Sequence, residues 1–392
     1  MQGLRADAAL APGLEEAIAG CTRRAFSALV DLALAEAVDF LVIAGDLYDG
    51  DWRDHSTGLF FAAEMRRLGV PCFLLHGNHD AASVITRALT LPPNVQVFSP
   101  RKCESFELPE LGVALHGRSF PNRAVPEDLS AGYPPPLPGR FNIGVLHSSA
   151  ENPGEHETYA PCSVQALARH GYDYWALGHI HQRRVLHDDP PVVFPGNLQG
   201  RHIRETGAKG CTLVTVAQGR ATLSHRSLDV LRWAALSVDV AAADMIEMHR
   251  RLSEAVGRAV AESEGRPLLA RLTLSGRTEL HDTLSGDTER LAAEAVNAGK
   301  GQLFVERVVV RTTPLGPPPA DLASLRAAFL AGLADPPLLA EMANVLRRVQ
   351  QGLPAIARDG APVPAEAAGW QALAESAWQA VEEALRREEA AP

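Results

Sequence analysis

The chain has 392 residues, 46% of them hydrophobic and 21% charged, which excludes a disordered polypeptide and makes room for two or three domains. Its 37 basic and 47 acidic residues give a formal charge of −10, which argues against a uniformly basic nucleic-acid surface. Five scattered cysteines without a C-x-x-C, no apolar signal region and no run near the roughly 20 apolar residues of a membrane span point to a soluble, reducing, cytoplasmic setting with no membrane contact.

Leu14, Ile18, Cys21, Ala25, Leu29 and Leu32 recur at helical spacing, so residues 13–37 read as an amphipathic helix. A strand follows from Asp39. Ser56 can cap a second helix that Gly69 ends, and Pro71 starts the next strand. This β-α-β alternation predicts a largely parallel sheet core. Further strands are expected at 95–98, 105–107, 112–116, 141–147, 192–194, 211–216 and 221–227, with a short helix at 163–170. Many strands and few helices predict an α/β fold of two stacked β-sheets with helices outside.

The character of the chain changes near residues 228–233. A strand at 233–240, a helix at 244–264, a strand at 268–278, a helix at 286–298 and a strand at 302–311 make a compact β-α-β-α-β unit. Pro314, Pro317, Pro318 and Pro319 mark a linker. Helices are then expected at 321–333, 337–351 and 365–389. The last carries Trp370, Leu373, Ala377, Trp378, Val381 and Leu385 on one stripe. Such a stripe either packs on its own protein or docks a partner. The expected domains are therefore 1–228, 229–313 and a helical docking region at 314–392.

Chemistry concentrates where apolar runs break into polar residues. Phe40–Ala44 runs into Gly45-Asp46-Leu47-Tyr48-Asp49, and Pro71–Leu75 into His76-Gly77-Asn78-His79-Asp80. Phe141–Leu146 ends at His147, and Tyr174–Leu177 at Gly178-His179-Ile180-His181. Buried parallel strands present their carboxyl ends at one edge, where ligands collect. Each motif alone has a bland reading as a turn or a satisfied polar residue. Together, Asp, Asn and three His suit a borderline-hard divalent ion such as Mn²⁺, Fe²⁺ or Zn²⁺. A carboxylate can bridge two ions about 3.5–4 Å apart, the geometry of two-metal phosphoester cleavage. A basic cluster, Arg183, Arg184, Arg201, Arg204 and Lys209, accompanies the last motif and reads equally as a solvated face.

These motifs resemble the calcineurin-like metallophosphoesterases. Gly117-Arg118-Ser119-Phe120 and Pro195-Gly196-Asn197-Leu198-Gln199-Gly200-Arg201-His202 narrow the likeness to the SbcD/YhaO-type DNA repair exonucleases, over residues 1–311 well and over the tail loosely. The resemblance implies a nuclease domain, a small capping domain and a helical tail that docks an SMC-like ATPase of the SbcC/YhaN type, with helices of the first domain as candidates for a homodimer contact. It implies that Asp46 bridges two divalent metals, most readily Mn²⁺. Asn78, His147 and His179 complete one metal, and His181 binds the other. His79 is the implied proton donor to the leaving oxygen, oriented by Asp80. Arg118, Arg201, His202 and Arg204 are candidate DNA or phosphate contacts.

The family pattern opens with a strand ending in Asp-x-His, which supplies two further ligands to the metal held by His181. The only Asp before the first helix here is Asp7, with no apolar strand before it and no His after it. The expectation is a chain starting just past that motif, through a downstream start assignment or genuine degeneration, with much reduced two-metal activity. The implied function is a metal-dependent DNA exonuclease. The alternatives are a hydrolase of small phosphoesters or cyclic nucleotides and a non-catalytic subunit that binds DNA ends or the ATPase.

Overall fold

The computed structural model describes residues 18, 20–48, 55–82, 90–150, 160–315, 320–331, 333, 336–352, 363–364 and 366–389. Residues 1–17, on which the expectation of a lost first strand rests, lie outside them. The chain divides into two compact units, Met1–Asp239 with Ile246–Ser275 and Thr288–Arg311, and Val240–Met245 with Gly276–Asp287 and Thr312–Pro392.

In the first unit, helix α1 (Cys21–Ala35) leads to β1 (Leu41–Ile43), α2 (His55–Leu68) and β2 (Cys72–Leu74). A one-turn helix α3 (Asn78–Ala82) and β3 (Val95–Val97) follow. The three strands form a parallel sheet in the order β1-β2-β3, with Leu41 opposite Cys72 and Cys72 opposite Val95. Gly69, at φ 76°, ends α2 as its sequence foretells. Ser56 is not the cap expected of it. It lies inside the first turn of α2, and its hydroxyl accepts a bond from Arg23 instead.

The second sheet contains β4 (Glu104–Leu108), β5 (Val113–Gly117), β6 (Phe141–His147), β7 (Tyr174–Gly178), β8 (Arg184–Asp188) and β9 (Pro191–Phe194), with α4 (Val164–Arg169) before β7. Their order is β4-β5-β6-β7-β9-β8, parallel from β5 through β6 and β7 to β9 and antiparallel at both edges. Strand β8 escapes the sequence reading for a physical reason. It is a half-exposed edge strand with an irregular register, so its side chains show no alternating apolar face. A hairpin of β10 (Gly210–Ala217) and β11 (Arg220–Ser227) is antiparallel throughout.

Side-chain alternation along the strands sorts the core into layers. Phe141, Ile143 and Val145 of β6 meet Phe73, Leu75 and Phe98 between the two sheets, with Val214 and Leu223 of the hairpin packed alongside. The residues one step out of phase, Leu146 of β6 and Trp175 and Leu177 of β7, face the opposite way, toward Leu167 of α4 and Tyr133 and Tyr172. Phe26, Leu29 and Val30 of α1 and Phe61 and Met65 of α2 cover the outer face of β1–β3. Full burial of each such side chain stabilises the fold by about 1.5–3 kcal/mol. The result is a helix-flanked sandwich of two stacked sheets, the α/β architecture the sequence pattern predicts.

Strand β12 (Arg232–Asp239), helix α5 (Met245–Glu262), β13 (Leu268–Arg277), helices α6 (His281–Gly286) and α7 (Thr288–Ala298) and β14 (Leu303–Thr313) follow. The strands form a sheet in the order β12-β13-β14. Trp233 and Leu269 of this sheet pack on Ile18 and Cys21. At the entry to β12, the buried Asp229 carboxylate accepts both the Arg232 guanidinium at 2.8 Å and that of Arg266 at 3.0 Å.

The second unit carries α8 (Ala320–Ala331), α9 (Pro336–Gly352) and α10 (Ala367–Glu389). Here the tryptophan stripe resolves into two seams. Trp370, Ala374 and Trp378 are buried, and Trp378 packs on Phe329 of α8 with ring centroids 5.7 Å apart. Leu373, Ala377 and Val381 form a neighbouring exposed seam. The tryptophans therefore serve the protein's own packing, and Leu385 lies outside the described side chains. No described helix is long and apolar enough to cross a membrane.

Candidate metal centre

Four loops leave the carboxyl ends of β1, β2, β6 and β7. Two of these strands belong to each sheet of the sandwich, so the cluster is built by both sheets rather than by the edge of one. His147, at the end of β6, is fully buried and stands at the middle. Its Nδ1 bonds the Ala44 carbonyl at 2.9 Å, and its Nε2 lies 2.9 Å from Asn78 Oδ1 and 3.4 Å from Asp46 Oδ2. The rings of His147 and His179 are 5.2 Å apart. Ligand atoms of Asp46, His147 and His179 all lie within 4.8 Å of one another.

The chemistry of this donor set fits a metal. A carbonyl only accepts, so Nδ1 of His147 carries a proton, while Nε2 faces two further acceptors, Asn78 Oδ1 and Asp46 Oδ2. Burial opposes a charge on the ring but the Asp46 carboxylate favours it, so this point calls for positive charge, which a proton on Nε2 supplies without a metal and a divalent cation would supply in its place. Neighbouring ligands on an octahedral ion with bonds near 2.1 Å are about 3 Å apart, close to the spacings found. Carboxylate, amide and imidazole donors without a thiolate suit a borderline-hard divalent ion.

The backbone is bent to make this cluster. Asp46 sits at φ 57° and His179 at φ 106°, conformations that cost a non-glycine residue about 1–3 kcal/mol each. Strain of this kind persists where the surroundings over-determine it. Glycines clear the space: a methyl group at Gly77 would lie 2.6 Å from His147 Cε1 and overlap Asp46 Oδ1, and one at Gly178 would overlap the Ala44 carbonyl oxygen.

Asp80 ties two of the loops together. Its carboxylate accepts the backbone N–H groups of Tyr48 at 2.8 Å, Gly77 at 3.1 Å and Leu47 at 3.2 Å. Its bonds thus clamp the Asp46 loop to the β2 loop, a function beyond orienting His79. Burial and then the Asp46 charge push the Asp80 carboxyl up to about 6, against the pull of those amides. Burial works against a charge on Asp46, but the adjacent His147 outweighs it and holds the carboxyl well below the usual range. The half-buried His79 donates its backbone N–H to Asp46 Oδ1 at 3.1 Å.

His181 stands on a different support. Its Nδ1 lies 2.6 Å from Oε1 of Glu205, a residue only 5% exposed. The other oxygen of that carboxylate accepts Arg201 N at 2.7 Å and Asn197 Nδ2 at 2.9 Å. Burial opposes the charge on Glu205, yet the His181 bond and the Arg201 charge hold the carboxyl down at about 2. His202 Nε2 lies 3.5 Å from the same carboxylate. Arg204 is exposed, and Arg118 donates to the Pro100 carbonyl. Lys209, one of the expected surface cluster, is buried and donates to the His181 carbonyl. Glu205 is the residue the motifs miss. Its one signal is its place three positions after His202, inside a stretch of basic residues where a lone acid reads as surface charge.

Comparison with known proteins agrees with this architecture. The calcineurin-like phosphoesterase family matches residues 20–183, and the middle domain of metallophosphoesterase YhaO matches residues 233–313. The chain is 35% identical over 257 residues to the uncharacterized metallophosphoesterase YhaO of Bacillus subtilis (strain 168), a match covering 63% of this chain and 62% of that protein. It is 26% identical over 233 residues to the DNA double-strand break repair protein Mre11 of Sulfurisphaera tokodaii, covering 52% of this chain and 56% of that one. A second Mre11, from Saccharolobus solfataricus, is 26% identical over 222 residues, covering 52% and 57%. The chain thus spans less than two thirds of the length of these relatives. Asp46, Asn78, Asp80, His147, His179 and His181 all fall inside the phosphoesterase match. Residues 20–183 thus carry a calcineurin-like phosphoesterase domain, and the chain is homologous to YhaO and Mre11.

Proposed function

We propose that the chain is a metal-dependent phosphodiester hydrolase acting on DNA ends in cytoplasmic DNA repair, together with an SMC-like ATPase of the SbcC/YhaN type. The observation that carries this is the convergence of ligand atoms of Asp46, His147 and His179, with Asn78 Oδ1 beside them, around the buried His147 ring. Asp46, Asn78, His147 and His179 would hold one ion, and His181 with the bridging Asp46 a second, with Mn²⁺ the leading candidate for both. Bound divalent ions supply charge stabilisation to the attacking and leaving oxygens of an in-line displacement.

The chain's own groups do the rest. His79, fixed through its backbone to Asp46, protonates the leaving oxygen. Asp80 keeps the loop carrying Asn78 and His79 against the Asp46 loop. Arg118, Arg201, His202 and Arg204 are assigned to the phosphates of the substrate. Likeness to Mre11, named for DNA double-strand break repair, favours DNA over a small phosphoester. The exposed Leu373, Ala377 and Val381 seam is the surface we assign to the ATPase.

Turnover of bis(p-nitrophenyl) phosphate and of blunt duplex DNA, each with Mn²⁺, tests the reading. Both should be cleaved, the duplex with the higher kcat/KM, and His79→Asn should lower turnover about 100-fold or more while leaving Mn²⁺ affinity unchanged. Cleavage of the small diester alone would move the assignment to a small-substrate hydrolase. DNA binding without any turnover would move it to a non-catalytic subunit.

A further inference from the structure

We propose that Glu205 is the positioning residue of the His181 half of the metal centre: it fixes His181 as the Nδ1–H tautomer and holds the loop from Asn197 to Arg204 with the same carboxylate. The inference rests on the metal-hydrolase reading above.

The argument is one of donors and acceptors. The Arg201 backbone N–H and the Asn197 side-chain NH₂ can only donate, so Oε2 of Glu205 accepts from both. Oε1 takes His181 at 2.6 Å as its one hydrogen-bonded partner, with Arg201 Nη2 at 3.7 Å and His202 Nε2 at 3.5 Å farther off. An ionised carboxylate is acceptor-only, so the imidazole must put a proton on Nδ1. The lone pair of the neutral ring then belongs to Nε2, the nitrogen on which a metal bond forms. A carboxylate behind a ligating imidazole sets the tautomer and raises the basicity of the ligand. A loop clamp alone would need only Oε2. Burying a carboxylate is expensive unless its lone pairs are used, and here the shortest bond of Oε1 goes to the imidazole while both hydrogen bonds of Oε2 go to the loop. The same loop carries Arg201, His202 and Arg204, the candidate phosphate contacts, so one side chain sets the metal ligand and the substrate loop in a single register.

Glutamine distinguishes this from plain packing. In Glu205→Gln the side chain keeps one acceptor. If that oxygen stays with Arg201 and Asn197, the new NH₂ group faces His181 and drives the ring to the Nε2–H tautomer. The experiment uses the full chain labelled with ¹⁵N-histidine, with His181 assigned by His181→Gln. The metal-free wild type should show His181 protonated on Nδ1, and Glu205→Gln should shift it to Nε2–H. On titration with Zn²⁺ alone, the His181 Nε2 resonance should move to the metal-bound range in the wild type. In Glu205→Gln it should need about 10–100-fold more zinc, with the His147 and His179 resonances titrating as before. A wild-type His181 protonated on Nε2 alone would overturn the proposal, and so would an unchanged tautomer and zinc response in Glu205→Gln. Should that variant not fold, the wild-type tautomer decides alone. If zinc moves neither His147 nor His179 in the wild type, the metal reading falls, and the tautomer still judges Glu205 separately.

Discussion

The two halves of the candidate centre are built by different means. In the strand-end half, Asp80 and His147 are fully buried and Asn78 is 3% exposed, and their bonds run to backbone groups of Ala44, Leu47, Tyr48 and Gly77. In the loop half, the His181 side chain is 29% exposed and that of His202 51%, and a single carboxylate gathers the loop. The difference teaches where precision comes from. Side chains at the ends of parallel strands inherit their geometry from two packed sheets. Side chains on a loop depend on one buried partner. The first half should therefore be sensitive to changes in backbone volume, and the second to the loss of one hydrogen-bonding group.

The largest effect expected is on metal binding. Asp46 is the one carboxylate in the three-ligand cluster with His147 and His179. Asp46→Ala should weaken Mn²⁺ binding by on the order of 1000-fold, about 4 kcal/mol, read by titration calorimetry. A loss under about tenfold would break the comparison, because the strand-end half would then not be the principal metal site.

Metal itself should stabilise the fold through that half. At a free Mn²⁺ concentration 100 times the dissociation constant, linkage contributes about 2.7 kcal/mol. In a domain of this size that raises Tm by roughly 5–10 °C. A chelator should reverse the shift, and Asp46→Ala should not show it. A shift that survives in Asp46→Ala would place the stabilising metal elsewhere.

Steric economy gives the next effect. Gly77→Ala sets a methyl group against the side chains of Asp46 and His147, both held in place by their own hydrogen bonds. Overpacking of this sort costs about 1–3 kcal/mol, measurable by urea denaturation of the metal-free protein. Gly207 has nothing within 4 Å of an added Cβ but sits at φ 78°, so an alanine there strains only its own backbone. Equal losses of stability at the two positions would show that the strand-end half is no more tightly packed than the loop half.

Sequence legibility follows the same division. The run from Phe141 to His147 is a strand with the bounds its pattern implies, because continuous burial on both faces leaves an unbroken apolar stretch. Gly45-Asp46 and Gly77-Asn78-His79-Asp80 are readable because an abrupt polar step after such a stretch marks a carboxyl end. The distribution of β1 and β2 to one sheet and of β6 and β7 to the other is not readable, since it depends on pairing across long separations. The choice between the Trp370–Trp378 seam and the Leu373–Val381 seam likewise waits on what packs against α10. Glu205 hides because burial of an acid in a basic stretch is a tertiary event.

The smallest stability effect belongs to the exposed rim of the loop half, and it is the sharpest test of what that half is for. Arg204 is exposed, and its backbone N–H is held by His202 Nδ1 at 3.2 Å, a bond that does not need the guanidinium. Arg204→Ala should therefore change folding stability by no more than about 0.5 kcal/mol. If the loop meets a phosphate backbone, the variant should bind duplex DNA more weakly at low salt. The slope of log affinity against log salt should fall by about one phosphate contact. Turnover of bis(p-nitrophenyl) phosphate, which offers no extended backbone, should stay at the wild-type rate. A parallel fall in both substrates would make Arg204 a part of the reacting centre and erase the distinction between the two halves. No change in either would remove Arg204 from the DNA-binding surface and leave Arg201, His202 and the proposed metal ligand His181 as the candidate groups on that side.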